Sequence, residues 1–310
     1  HLSMKYAFYI LLCLIQLFIG CQSKERKQQN DQTPTSKTLT IGVLPTIDCL
    51  PVYIALQAEL FKHQELDVIL CPFNSQMDLD TALMGGSVKM GFTDIIRLQK
   101  LADDGYRLIP YAATSAHWQL ISNRSSRINT LKQLDDKMIA MTRFSATALL
   151  SDIVTDSVKL KEDRVYKVQI NDISLRLLML LNNEMDAMWL PEPQATVARL
   201  HKHPLLYDTR KQDDRLGVIA IQPNMQEGAQ TQLLKQFATA YNMAIDSIKR
   251  FGVRHYLPLI ESYCMIRPSQ ADSIDNNYPF FHLDSLREKD INKANIWKKN
   301  ETARNNRKGL

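Results

Sequence analysis

Leu39-Thr40-Ile41-Gly42-Val43-Leu44-Pro45-Thr46-Ile47-Asp48-Cys49-Leu50-Pro51-Val52-Tyr53-Ile54-Ala55-Leu56 changes its hydrophobic period part-way, and that change sets the fold. Leu39, Ile41 and Val43 alternate as in a strand, and Pro45 closes the run. Asp48 to Pro51 reads as a turn. Pro51 suits the first position of a helix, where its missing N–H has no intrahelical partner to lose. Val52, Ala55, Leu56, Glu59 and Leu60 then recur at helical spacing, which predicts a helix to about Lys62. Strand, turn and helix in this order form the first part of a parallel βαβ unit.

The same unit repeats outward. Further strands are predicted at Leu66–Cys71, Val88–Phe92 and Leu108–Ala112, with a helix over Asp78–Met84 and another after Thr93 or Asp94. The alternation then restarts with strands at His117–Ser122, Met138–Met141, Tyr166–Ile170 and Ala187–Leu190. Between them lie a short helix at Thr130–Leu134 and longer ones over Ala146–Val158 and Ile173–Asn183. Leu216–Ile221 is a last strand, and Gly228–Arg250 and Val253–Glu261 are helical. Strands alternating with helices predict parallel sheets. The sequence therefore predicts an α/β protein of two lobes, each a mainly parallel sheet flanked by helices, with a cleft between them. Lobe 1 takes 38–116, lobe 2 takes 117–215, and 216–286 returns to lobe 1 as mostly helix.

Outside that body, Met4-Lys5 precedes an uncharged stretch from Tyr6 to Gly20 broken only by Gln16. It is shorter than the roughly 20 apolar residues a spanning helix needs and has the form of a signal peptide, 1–20. His1–Ser3 precede the first methionine and are set aside. Phe18-Ile19-Gly20-Cys21 followed by a polar run to Lys37 resembles a bacterial lipoprotein signal. It implies acylation of Cys21, a flexible tether over 21–37, and an extracytoplasmic, membrane-anchored protein. The residues that follow number about 270, enough for one large domain or two lobes.

The net charge of +5 is confined to one end. Arg287–Leu310 holds eight Lys or Arg against three acids, a difference equal to the whole net charge. The body is near neutral, which excludes a basic nucleic-acid face, and the tail 287–310 reads as a solvated, partly frayed end. Cys49, Cys71 and Cys264 form no CxxC or Cys/His cluster, so no metal site and no disulfide framework is predicted. Cys49 and Cys71 either pair in an oxidising compartment or are buried as small hydrophobes.

In open parallel sheets ligands sit beyond the carboxyl ends of strands, so the loops at 45–48, 91–94, 142–147 and 189–193 carry the candidate site. Leu44-Pro45-Thr46-Ile47-Asp48-Cys49-Leu50-Pro51 with Tyr53-Ile54-Ala55 resembles the opening of the nitrate/sulfonate/thiamine-precursor group of periplasmic solute-binding proteins. Phe92-Thr93-Asp94, the run Ser174–Leu181, Met185-Asp186-Ala187 and Leu190-Pro191-Glu192-Pro193 are similar to it in order and spacing, from about Leu39 to Ile221. The resemblance implies a type 2 periplasmic-binding fold acting as a monomer that passes a small molecule to an ABC-transporter permease, without cofactor.

Each candidate residue has a second, purely structural role. Ser145 and Thr147 open a helix, where free N–H groups favour an anion, or they cap it. Asp94 accepts from ligand or caps its helix. Thr46 and Asp48 either contact ligand or form the turn before Pro51. Thr93 and Phe144 lie in the same strand-end loops. Glu192, held between two prolines, is expected to face the cleft. Trp189 stacks on a ring or packs in the core, His117 contacts ligand or packs the lobe crossing with Trp118, and Arg143 pairs with an anion or lies on the rim. The stripe Leu175, Leu178, Met179 and Leu181 reads as core.

Three acids, Asp48, Asp94 and Glu192, stand against the single cation Arg143. A buried carboxylate needs a donor or a cation, which tilts the expected ligand towards a nitrogen heterocycle such as a thiamine pyrimidine precursor. The alternatives are an enzyme on the same fold, of thiamine-pyrimidine-synthase or dehydratase type, or a sensory lobe that presents ligand to a receptor. No P-loop or nucleophile motif occurs, and the histidines are scattered, so no catalytic residue is named.

Overall fold

A computed structural model describes residues 38–308; the expected leader, Cys21 and the tether lie outside the described residues. β1 (Thr38–Val43) is buried at every position, so it forms a central strand. A 3-10 turn at Ile47–Cys49 leads into α1 (Leu50–Gln57), with Pro51 in its first turn. The helix expected to reach Lys62 is interrupted. Glu59 takes a left-handed φ of 56°, and Leu60–His63 forms a separate turn. β2 (Asp67–Pro72), α2 (Gln76–Met84), β3 (Met90–Asp94), α3 (Ile95–Asp103) and β4 (Ile109–Ala113) follow.

The second round runs through β5 (Trp118–Ser122), β6 (Lys137–Met141), α4 (Ala146–Ser157), β7 (Val165–Gln169) and α5 (Ile173–Leu181). It ends with β8 (Ala187–Pro191), α6 (Gln194–Leu200) and β9 (Leu205–Asp208). β10 (Gly217–Ile221) then leads to α7 (Gln230–Phe251), α8 (Leu257–Cys264) and α9 (Glu288–Lys308).

Two five-stranded sheets result, ordered β2-β1-β3-β10-β4 and β7-β6-β8-β5-β9. β1 runs parallel to β2 and β3, and β6 parallel to β7 and β8. The fourth strand of each sheet, β10 or β5, is antiparallel to both neighbours. These two strands carry the chain across between sheets, so each lobe is completed by a strand arriving from the other. The two-lobed α/β architecture expected from the alternation is present, its sheets mixed, with the fourth strand of each running against its neighbours.

Gly217 begins β10 at the return crossing. A Cβ there would lie 2.2 Å from Thr114 Oγ1 and 2.5 Å from Ala116 Cβ, while its carbonyl accepts from Thr114 N–H at 2.9 Å. Both crossing segments are therefore in backbone contact at this point. Gly217→Ala is expected to destabilise by about 1–3 kcal/mol, the range of overpacked sites. The check is a lower urea midpoint with unchanged slope; a midpoint equal to wild type would mean that the crossings part easily.

Two expectations are corrected. The supposed core stripe of α5 faces outward: Leu175 and Leu178 are 45% and 52% exposed, and Met179 and Leu181 are half-buried. The buried face is Ile173, Arg176 and Leu180. The rotation is fixed by Arg176, whose guanidinium bonds to the sheet below.

The tail is not a frayed end but the helix α9, with Asp290 and Ala294 buried. Arg287 and four cations of the helix, Lys289, Lys293, Lys298 and Arg304, make intramolecular pairs. Arg287 meets Asp213 and Asp290, each at 2.6 Å, and Lys293 meets Asp214. Lys298 reaches Asp103 of α3 at 2.6 Å and Arg304 reaches Asp152 of α4 at 2.9 Å. The helix thus joins both lobes.

Candidate ligand-binding cleft

The loops beyond β1, β3, β6 and β8 converge on one cavity with about 60 Å³ open to water-sized molecules, room for a few waters or one small solute. Thr46, Asp48, Asp94, His117, Ser145 and Thr147 all line it. Lobe 1 supplies the first three, lobe 2 the last two, and His117 sits at the crossing. The lobes are also tied directly. Ile47 N–H donates to Glu192 O at 2.9 Å, Ile173 N–H to Asn74 O at 3.2 Å, and Gln194 Nε2 to Pro45 O at 2.8 Å.

Asp48 is buried, and burial raises its carboxyl pKa while the Thr46 hydroxyl pulls it down. Asp94 caps α3 by accepting from Arg97 N–H at 2.9 Å. The N–H of Ala146, the first residue of α4 in the other lobe, also holds its pKa down. Burial outweighs these donors and lifts its pKa to about 6. Ser145 and Thr147 turn their hydroxyls inward. Ser145 Oγ accepts from Thr147 N–H at 3.1 Å and donates to Thr142 O at 2.7 Å, while Thr147 Oγ1 accepts from Thr142 N–H at 3.0 Å. Their geometry is that of a cap. His117 Nδ1 lies 3.3 Å from Thr209 Oγ1, and burial lowers its pKa to about 4, so it is neutral.

Four expected site residues lie elsewhere. Thr93 precedes Asp94 on a strand and so points to the opposite face, where its hydroxyl is 3.4 Å from Asp80 Oδ1. Trp189 is wholly buried, with Nε1 donating to Ser151 Oγ at 2.9 Å and its ring edge-on to Tyr207. Phe144 lies in a groove against α3 and α9 beneath Lys100, and Arg143 beside it is exposed. Glu192 is buried, but its carboxylate is saturated by Arg199 Nη2 at 3.0 Å, Gln119 Nε2 at 3.1 Å and Thr196 N–H at 2.9 Å. Only its carbonyl reaches the other lobe.

Arg176, which the sequence reading passed over, lines the cavity. Its Nε donates to Ile170 O at 2.6 Å, Nη1 to Trp189 O at 3.0 Å, and Nη2 to Thr142 Oγ1. All three acceptors are neutral. Burial lowers its pKa to about 10, with Asp172 acting in the opposite sense. Among the described residues no group of His, Cys, Asp or Glu is placed to hold a metal, and Cys49, Cys71 and Cys264 are free. No described helix is long and apolar enough to cross a membrane.

A sequence model of the family described as NMT1/THI5 like matches residues 46–249, which include both walls of the cavity. The chain belongs to this family. Among solved structures it is similar to the alkanesulfonate-binding protein SsuA from Xanthomonas axonopodis pv. citri bound to MOPS. The two share 16% identity over 86% of this chain and 93% of that one, with a TM-score of 0.74. The periplasmic aliphatic sulphonate binding protein SsuA from Escherichia coli gives 15% identity, 86% and 89% coverage, and a TM-score of 0.70. The periplasmic nitrate-binding protein NrtA from Synechocystis PCC 6803 gives 11%, 82% and 75%, and 0.66. At these identities the likeness establishes the shared periplasmic-binding fold. No curated protein matches the chain by sequence. Membership in the NMT1/THI5-like family agrees with the resemblance carried by the strand-end loops.

Asp94 and His117 should oppose each other as pH changes. Folded Asp94 holds its proton up to about pH 6 and an ordinary Asp only to 3.8, so its contribution grows as pH falls through that window. His117 drops from 6.5 to about 4 on folding, so its contribution is lost as pH falls from 6.5 to 4. Asp94→Asn removes the first and keeps a capping side chain. Relative to wild type, the variant should lose roughly 2–3 kcal/mol between pH 7 and 4. Parallel stability curves for the two proteins would show that Asp94 titrates as a solvated carboxylate.

Proposed function

We propose that this member of the family is the solute-binding component of an ABC importer, held outside the cytoplasmic membrane by a lipid on Cys21. A small polar solute enters between the lobes, is enclosed by both, and is handed unchanged to a permease. One observation carries the reading: a polar cavity lined by strand-end loops of both lobes, on a chain that crosses between them at 113–118 and 208–217. Lobes spanning 38–116 with 216–286, and 117–215, move as the closing bodies. Thr46, Asp48, Asp94, His117, Ser145 and Thr147, joined by Arg176, form the ligand wall.

The charge balance of that wall differs from the expected one, because Glu192 is paired with Arg199 and Arg176 is added. The solute therefore offers a nitrogen donor to Asp48 and an acceptor to Arg176. A thiamine pyrimidine precursor offers hydrogen-bonding groups of both kinds, though it carries neither charge.

Equilibrium dialysis of the full chain, kept in detergent, against a bacterial small-molecule extract tests the role. Mass spectrometry should find one compound concentrated with the protein and recovered intact. Retention of nothing would remove the binding role, and appearance of a new product would establish an enzyme.

A further inference from the structure

The cavity wall carries two buried ionisable groups of opposite sign that take part in no ion pair among the described residues. Asp48 comes from the turn after β1, and Arg176 from α5 in the other lobe. Taking either charge out of water is costly unless something compensates it. The remaining charged groups at the site are compensated within the protein. Asp94 sits between the N-termini of α3 and α4, accepts from Arg97 N–H at 2.9 Å and has the Ala146 N–H acting in the same sense, where two helix dipoles favour a negative charge. His117 is neutral at physiological pH. Glu192 is paired with Arg199 at 3.0 Å, and Asp172, the carboxylate acting on Arg176, accepts from Leu175 N–H at 2.8 Å as the cap of α5.

Asp48 has the Thr46 hydroxyl beside it, which holds its pKa down, but no cation. Arg176 spends three of its five N–H donors on two carbonyls and a hydroxyl. Those bonds fix the guanidinium against the floor of lobe 2 and leave two donors and a full positive charge for whatever occupies the cavity. Building on the binding role above, we infer that the ligand is a small zwitterion. Its ammonium or amidinium end meets Asp48 of lobe 1, and its carboxylate or sulfonate end meets Arg176 of lobe 2. Such a molecule neutralises both walls at once. A singly charged solute leaves one of them uncompensated, and so selects against itself. The limited space restricts it to a handful of heavy atoms between the charged ends.

Isothermal titration calorimetry on the full chain in detergent tests this with defined probes. These are ω-amino carboxylates of one to five methylenes, 2-aminoethanesulfonate, and the matching acids and amines that carry a single charge. At least one zwitterion should bind at least tenfold more tightly than both of its singly charged halves. Asp48→Asn and Arg176→Gln should each weaken that zwitterion at least a hundredfold, and Arg176→Lys should restore part of the loss. The acid half alone should bind Asp48→Asn more tightly than wild type, because the uncompensated carboxylate is gone. Thermal midpoints without ligand report whether each variant folds; if Arg176→Gln does not, Asp48→Asn and the analogue series still decide. An acid or amine that binds as tightly as its zwitterion, or variants that leave zwitterion affinity unchanged, would overturn the inference. If no zwitterion binds while dialysis retains another solute, the inference falls and the binding role stands. If dialysis also retains nothing, both fall.

Discussion

Replacing Asp80 by alanine is expected to lower the stability of the protein by about 3–5 kcal/mol, the cost of stripping one partner from a buried ion pair. Asp80 Oδ2 accepts from Arg97 Nε at 2.6 Å, and the two side chains are 1% and 5% exposed. Gln76 Nε2, at 2.9 Å, and the Thr93 hydroxyl, at 3.4 Å, share the same carboxylate. Burial raises the Asp80 pKa even against this arginine, a sign of how dry the site is. Alanine would leave a buried guanidinium with its Nη1 touching only the Arg143 carbonyl, 3.4 Å away across the cleft. The measurement is the urea midpoint at constant slope. The double change Asp80→Leu with Arg97→Met should recover most of the loss, because an apolar pair of similar volume carries no desolvation penalty. A single variant as stable as wild type would mean that water reaches Arg97.

Asp152→Ala should have the next largest effect, about 2–4 kcal/mol, because one buried carboxylate collects three donors. Trp297 Nε1 and Arg304 Nη1 of α9 reach it at 2.6 and 2.9 Å, together with Lys167 Nζ of β7. Without Asp152, α9 keeps Lys298–Asp103, its pairs with Asp213 and Asp214 at the crossing, and the longer reach of Arg304 to Asp156 and Glu162, but loses its three closest bonds to the body of lobe 2. Tryptic cleavage within α9, at Lys298, Lys299 or Arg304, should then quicken severalfold in native buffer. An unchanged cleavage rate, with stability intact, would show that Asp152 does not hold the helix.

The strands were legible because their periods are local. Leu39, Ile41 and Val43 alternate, and each strand-end loop follows directly, so the residues that converge on the cavity could be named from order alone. What the sequence hid was partnership at a distance. Glu192 looked free because the first turns of α6, which bring Thr196 N–H and Arg199 back onto it, and Gln119 from 73 residues away were not read as its partners. The tail looked solvated because its acids, Asp103, Asp152, Asp213 and Asp214, are scattered through both lobes. Trp189 was an open choice, and Ser151 on the neighbouring helix decided it for the core. Thr93 could have been set aside from strand alternation alone, since Asp94 and its neighbour must face opposite ways. Arg176 was also within reach. Ile173, Arg176 and Leu180 fall at helical spacing on one face, and a charged residue on the buried face of an apolar helix is a site candidate.

In the proposed function one small solute is held by both lobes at once. Amide hydrogen exchange of the full chain, with and without the solute retained in dialysis, tests it most directly. Added protection is expected in four segments together: 44–50 and 94–98 of lobe 1, and 142–148 and 171–177 of lobe 2. Protection confined to one lobe, or appearing instead at the surface groove formed by 248–252 and 276–280, would contradict it.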